Sequence, residues 1–240
     1  MTARRIALVG GAGGIGRVLA DELATRGDDV VILDLAASLD RHGIQGGIPI
    51  DVTDEDGVKA AFAAIDGPLD GFVNLAGYNS DLTALDQMET GYFDDVLNAN
   101  LRGAFLTARA AVPLLAEGAS MVNIASGLAS NIRPGYGAYA ASKAALIAMT
   151  KTMAIELAPR IRVNAVAPGL VDTAFLRGGT GRSEESAQSI VNLDAYRAMT
   201  PLARVAVPAD VTGPIRFLLG PDSGFMTGQV LWVNGGGYMP

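Results

Sequence analysis

The chain has 240 residues, half of them apolar, with 18 basic and 25 acidic side chains, one histidine and no cysteine. That length suits one α/β domain with a single sizeable core, and a net charge of −7 argues against nucleic acid as a partner. Without cysteine there are no disulfides, thiolate ligands or cysteine nucleophiles, and a lone His42 in the turn-like DRHG leaves no multi-histidine metal centre.

Arg4-Arg5 followed by IALVGGAGGIG has the outline of a basic, apolar leader. No small-residue cleavage site follows, however, and RVLADELATRGDD continues as an amphipathic helix. No stretch approaches about 18 uncharged apolar residues, so no membrane span is expected and a cytoplasmic location follows by default.

Residues 5–9 (RIALV) are the first expected strand, with a helix from about Arg17 to Arg26. Between them stand Gly10, Gly14 and Gly16. In a strand–turn–helix setting such glycines allow close backbone approach, and the helix N-terminus offers N–H groups to a pyrophosphate. Plain turns use glycine too. A second strand, DVVILD, ends at Asp34, whose carboxylate could accept hydrogen bonds from ribose hydroxyls and repel a 2′-phosphate, or could cap a turn. No Arg follows at once in LAASLD, which favours NAD over NADP.

Strand three reads as IPIDV; Asp51 and Val52 at its end could flank an adenine ring, or Asp51 could bond local backbone. TDEDGVKAAFAAI is a helix with Thr53 or Asp54 as N-cap. Strand four, LDGFVNLAG, ends in Asn74 and Gly77, and one helix is expected through YFDDVLNANLRGAFLTARAAVPLLA. Asn100 in its middle has poor helix propensity and points either to a kink or to a function.

Strand five, SMVNIAS, ends at Ser126. Tyr139 and Lys143 follow in the helical run AYAASKAALIAMTKTMAIELA. Four apart, they share a helix face, so the ammonium can sit beside the phenol and lower its pKa. Ser126 could turn its hydroxyl toward the same space. A half-buried ring and a solvated charge would show the same spacing. IRVNAVAPG is strand six, ended by Pro168-Gly169. Residues 174–200 form a long polar excursion with Gly178, Gly179 and Gly181, the pattern of a lid, a binding loop or a solvated insertion. A helix, PADVTGPIRFLLG, and a strand, QVLWVNGG, follow. Strands alternating with helices predict a parallel, doubly wound sheet in one domain.

In joint order and spacing these segments resemble the short-chain dehydrogenase/reductase family over essentially the whole chain. VGGAGGIG at 9–16 is similar to that family's TGxxxGIG, with Val9 in place of Thr. NLAG at 74–77 is similar to NNAG, with Leu75 for the second Asn. Asn100, Ser126, Tyr139-Ala-Ala-Ser-Lys143 and PGLVDT at 168–173 match the family's helix Asn, Ser, YxxxK and PG…T.

The resemblance implies a Rossmann-type fold with helices on both sheet faces, and an oxidoreductase passing hydride between NAD(H) and a secondary alcohol or ketone. It implies that Tyr139 exchanges the proton, Lys143 tunes it and bonds the nicotinamide ribose, Ser126 holds the substrate oxygen and Asn100 orders a relay water. It implies cofactor contacts from Gly10, Gly14, Ile15, Gly16, Asp34, Asp51, Val52, Asn74, Ala76 and Gly77. Pro168, Gly169, Val171 and Thr173 would join Tyr139 and Lys143 beside the nicotinamide. No metal is implied.

Tyr78, Leu128, Ile132, Tyr136 and Phe175, with loop residues up to about Met199, are the expected substrate pocket. Arg133, Arg177 and Arg182 could contact a carboxylate or phosphate. The enzymatic rivals are a sugar or cyclic-polyol dehydrogenase and a 3-oxoacyl-thioester reductase, which commonly uses NADPH and has Arg where Gly13 stands here. A non-catalytic dinucleotide sensor is the rival of another class. Family members are often tetramers; Ala140, Ala141, Ala144 and Ala148 would let a helix approach closely, between subunits or onto the sheet.

Overall fold

The computed structural model describes residues 3–177, 189 and 191–240. The expected hinge residues Gly178, Gly179 and Gly181, and Arg182, lie outside the described residues. Strand β1 (Arg5–Val9) turns Ile6 and Leu8 to one face and Ala7 and Val9 to the other, and all four are buried. A strand covered on both faces needs no polar alternation, which is why RIALV is nearly all apolar.

Strands β2 (Asp29–Asp34), β3 (Ile48–Pro49), β4 (Leu69–Asn74), β5 (Leu115–Ile124), β6 (Arg162–Pro168) and β7 (Val230–Val233) join it. Among the described residues they form one seven-stranded parallel sheet in the order β3-β2-β1-β4-β5-β6-β7. Helices α1 (Gly14–Thr25) and α8 (Pro208–Leu219) cover the Ile6 and Leu8 face through Leu19, Leu23, Val211, Ile215 and Leu218. Helices α3 (Glu55–Ala63), α5 (Gly103–Ala111) and α6 (Gly137–Leu157) cover the other face, with Phe62, Leu106 and Ala154 clustered with Val9, Phe72 and Met121. The strand order reverses between β1 and β4, and a crevice opens beyond the carboxyl ends of the strands at such a point.

Local details depart from the expectations. Helix α1 starts at Gly14 rather than Arg17, so the glycines build its first turn. Helix α2 (Ala36–Arg41) follows β2 and runs into the stretch DRHG that is expected as a turn. Strand β3 is only two residues long instead of five. It lies at the sheet edge, Pro49 has no N–H for a ladder, and the chain then turns as Asp54 N–H donates to the Asp51 carbonyl at 3.1 Å. Asp54, not Thr53, caps α3 by accepting from Asp56 N–H. Strand β4 ends at Asn74 rather than Gly77.

The single helix expected over residues 92–116 is broken. Helix α4 (Thr90–Leu97) runs into a π-helical turn at Asn98–Arg102 and then into α5. A 3₁₀ turn at Val112–Leu114 holds Pro113, which cannot donate in a helical ladder, and Leu115 already belongs to β5. Within the polar excursion stand a 3₁₀ turn (Ala174–Arg177) and α7 (Leu193–Met199). The four α6 alanines do not share a face: Ala140 is buried, whereas Ala141, Ala144 and Ala148 are exposed. No helix among the described residues is long and apolar enough to cross a membrane.

Gly16 is packed backbone to backbone: an added Cβ would stand 2.6 Å from the Gly10 carbonyl oxygen and 2.7 Å from Gly11 Cα. Gly213, inside α8, has nothing within 4 Å of that position. Gly16→Ala is expected to cost about 1–3 kcal/mol in urea unfolding, as overpacking does, while Gly213→Ala gains about 0.5–1 kcal/mol from helix propensity.

Candidate active site

Along α6 the buried side chains Tyr139, Lys143, Leu146, Thr150 and Ala154 recur at helical spacing and face the sheet. Lys143 Nζ donates to the Ile124 carbonyl at 2.9 Å and lies 5.7 Å from the Tyr139 ring centroid. Ile124 ends β5, and Ser126 follows in the turn beyond, its Oγ accepting from Leu128 N–H at 3.2 Å. The Tyr139 ring packs at 6.0 Å against Phe175.

Burial pushes the Tyr139 phenol up to about 12, with the Ser126 hydroxyl acting in the opposite direction, and burial pulls Lys143 down to about 8. The expected lowering of the phenol by the ammonium is therefore corrected. Both groups are stripped of water, which dominates each shift, and one of the three ammonium donors goes to backbone.

Asn100 resolves the broken propensity rule. It is fully buried in the π-turn, where Oδ1 accepts from Tyr78 N–H at 2.6 Å. Its Nδ2 donates to the Tyr78 carbonyl at 2.8 Å and to Ser142 Oγ at 3.2 Å. The carboxamide thus ties the loop after β4 to α6. Gly77 lies between: a Cβ there would stand 3.3 Å from Lys143 Nζ and 3.6 Å from Asn100 Oδ1.

At the other end, Gly10 adopts φ +80°, and a Cβ on it would meet Ala76 N at 2.7 Å. A Cβ at Gly14 would strike Thr173 Cγ2 at 2.8 Å. Gly13 is the N-cap of α1 and no side chain bonds the first-turn N–H groups. Asp34 closes β2, buried, with Oδ2 accepting from Ala12 N–H at 2.9 Å and Oδ1 from Leu35 N–H at 2.8 Å. Burial raises its pKa, and the Leu35 and Ala12 donors work against that rise. An uncapped helix N-terminus, a cradle with no side chains to fill it and a carboxylate at the strand end fit a dinucleotide.

One cavity of about 570 Å³ connects these groups. Gly10, Gly14, Ile15, Gly16, Asp34, Asp51, Val52, Ala76 and Gly77 line it, as do Ser126, Tyr139, Lys143, Pro168, Gly169, Val171 and Thr173. Tyr78, Leu128, Arg133, Tyr136, Phe175 and Met199 line it as well. Asn74, Asn100, Ile132 and Arg177 do not. Asn74 lies beneath the wall, its Oδ1 accepting from Ala76 N–H at 3.2 Å, and Asn100 stands behind Tyr78. Ile132 is 61% exposed, because its loop turns that side chain outward. Asp51 lines the cavity, yet its Oδ1 accepts from Thr53 N–H and Oγ1 at 2.9 and 2.7 Å, the local role. Arg177 pairs with Asp172 at 3.1 Å and is not part of the lining.

The lining also holds Tyr196, from the expected loop, and three residues not anticipated, Asn79, Asn131 and Tyr238. Tyr196, on α7, accepts from Leu170 N–H at 3.0 Å, and Tyr238 packs edge-on against Trp232 at 5.7 Å. No local pattern marks Tyr238, which the tertiary path of the chain brings in. Among the described residues no cluster of His, Asp or Glu could hold a metal.

A family described as enoyl-(acyl carrier protein) reductase matches residues 10–238. An uncharacterized short-chain type dehydrogenase/reductase, y4vI, from Sinorhizobium fredii is 38% identical over 245 residues, covering 97% of this chain and 43% of that one. The chain belongs to the short-chain dehydrogenase/reductase family. It thus spans less than half the length of y4vI, but 95% of a 3-oxoacyl-[acyl-carrier-protein] reductase FabG from Thermotoga maritima, which is 35% identical over 95% of this chain. A solved short-chain dehydrogenase/reductase from Brucella melitensis, a glucose/ribitol dehydrogenase by name, superposes with a TM-score of 0.88 at 30% identity, over 99% of this chain and 97% of that one.

In this short-chain dehydrogenase/reductase the buried Lys143 gives stability a pH signature. A lysine depressed to about 8 binds fewer protons folded than unfolded between there and its ordinary value of 10.5, so its contribution improves as pH rises through that window. The stability advantage of Lys143→Met over the parent is expected to shrink steadily from pH 8 to about 10.5 in denaturant titrations at stepped pH.

Proposed function

We propose that this protein is an NAD(H)-dependent oxidoreductase of a secondary alcohol or ketone. The observation that carries the reading is that Tyr139, Ser126 and Lys143 open onto the same cavity as the glycine cradle and Asp34. The nicotinamide, when bound, supplies or takes up the hydride. Tyr139 gives its proton to the substrate carbonyl oxygen in reduction and recovers it in oxidation; a phenol near 12 is fully protonated at neutral pH, as a donor must be. Ser126 Oγ holds that oxygen through a hydrogen bond that strengthens as negative charge develops. Lys143 bonds the nicotinamide ribose. Asn100 steadies a water between Lys143 and solvent.

Asp34 accepts the adenosine ribose hydroxyls and disfavours a 2′-phosphate, which makes NAD the preferred cofactor. Tyr78, Tyr136, Phe175 and Leu128 give the substrate end an aromatic, apolar wall, closed by described residues of the 174–200 segment such as Tyr196 and Met199. The protein acts in the cytoplasm as a homo-oligomer, a tetramer or dimer, with the exposed Ala141, Ala144 and Ala148 allowing close contact between copies. Neither nucleic acid nor membrane is a partner. A 3-oxoacyl-thioester reductase is the second reading, favoured by the T. maritima relative's name; a panel of alcohols, ketones and 3-oxoacyl thioesters with both cofactors separates the two.

Tyr139→Phe is expected to lower turnover at least about a hundredfold with NADH affinity largely kept, the scale of lost general acid catalysis, read from steady-state kinetics and NADH titration. Near-parental turnover would remove Tyr139 from the chemistry. The parent is expected to have the higher kcat/KM with NAD than with NADP, and Asp34→Ala to narrow that ratio about tenfold or more. Equal kinetics with the two cofactors would refute the role given to Asp34.

A further inference from the structure

The loop joining Ser126 to Tyr139 carries two polar side chains that no structural contact uses. Arg133 and Asn131 both line the cavity, and neither side chain has a hydrogen bond or ion pair among the described residues. Their backbone is held. Asn131 N–H donates to the Gly127 carbonyl at 2.9 Å, the Arg133 carbonyl accepts from Tyr136 N–H at 3.4 Å, and Gly135 (φ +85°) accepts from Thr83 N–H at 3.2 Å. Arg133 is exposed and lines the cavity from a loop whose backbone is held, between Ser126 and Tyr139 in the chain.

The charges around the cavity are unevenly placed. Its acidic lining residues are Asp34 and Asp51, at the end of the glycine cradle. Its cationic ones, among the described residues, are Lys143, already bonded to Ile124, and Arg133. Elsewhere Arg4, Arg177 and Arg204 pair with Asp28, Asp172 and Asp210, while Arg160 and Arg162 bond backbone carbonyls; Arg133 differs in lining the cavity with neither kind of partner. An arginine left unpaired at the substrate end of an otherwise aromatic cavity is a free half of a charge-assisted bond.

We propose that the substrate is a hydroxy or oxo acid whose carboxylate is bound by Arg133, with Asn131 donating a further hydrogen bond. A planar guanidinium matches the two oxygens of a carboxylate edge to edge. One guanidinium charge balances a single carboxylate charge, whereas a phosphate dianion would leave one negative charge unmatched by these two side chains. The aromatic wall of Tyr78, Tyr136 and Phe175 takes the carbon chain. Arg133 is thus a specificity-determining residue. This inference rests on the proposed oxidoreductase reading for what happens to the substrate, but not for the anion contact itself.

The test is calorimetric titration of the full chain, with and without NAD, using 3-, 4- and 5-oxo acids and their methyl esters. At least one acid is expected to bind about fivefold or more tightly than its ester, the worth of one partly exposed charge-assisted pair, with the difference shrinking as salt is raised. Arg133→Gln is expected to abolish the difference, Arg133→Lys to retain part of it, and Arg177→Gln to leave it unchanged. Equal binding of acids and esters, no binding of any acid, or a preference that survives in Arg133→Gln overturns the proposal. Turnover is read separately: acids that bind through Arg133 without being oxidised or reduced would refute the oxidoreductase reading and leave the anion site standing.

Discussion

An ammonium buried in a protein must find an acceptor, and Lys143 finds the carbonyl of Ile124 at the end of β5. Much of the site follows from housing that one group. Its place on α6 is set by the apolar stripe that packs the helix on the sheet, so Tyr139, one turn earlier, is buried with it. The space above the ammonium exists because Gly77 has no side chain, and the loop carrying Gly77 is held by the Asn100 carboxamide. Asn100 can reach that loop because the helix around it is locally widened into a π-turn, which is a feature that recurs at functional sites.

The two buried titratable groups are shifted in the same sense, each toward its neutral form, by loss of water. For a lysine that means a charge easily lost; for a phenol it means a proton firmly held. A protonated phenol beside a hydroxyl on the cavity wall can donate to a substrate oxygen, as the proposed reduction needs.

Polarity along the cavity is laid out by topology. The reversal of strand order between β1 and β4 places Asp34 and the α1 N-terminus at one end, while the loop after β5 supplies Ser126, Asn131 and Arg133 toward the other. The related sequences share that frame under names that range from an acyl-carrier-protein reductase to a glucose/ribitol dehydrogenase. Such a spread on one frame is expected when the sheet fixes the cofactor end and variable loops shape the other.

The sequence by itself determined the alternation of strands and helices, because apolar runs and helical stripes are local patterns that burial on both faces of a parallel sheet enforces. It also marked Gly10, Gly14, Asp34, Ser126, Tyr139 and Lys143, since strand ends and one-turn spacings can be read from neighbours in the chain. Tertiary structure decided the rest. It alone set the π-turn that explains Asn100, the shortness of β3 at the sheet edge, and the outward turn of Ile132. It alone brought Tyr238 to the wall, and it reversed the expected shift of the Tyr139 phenol. Desolvation and long-range packing depend on which distant segments close over a group, and no local pattern encodes that.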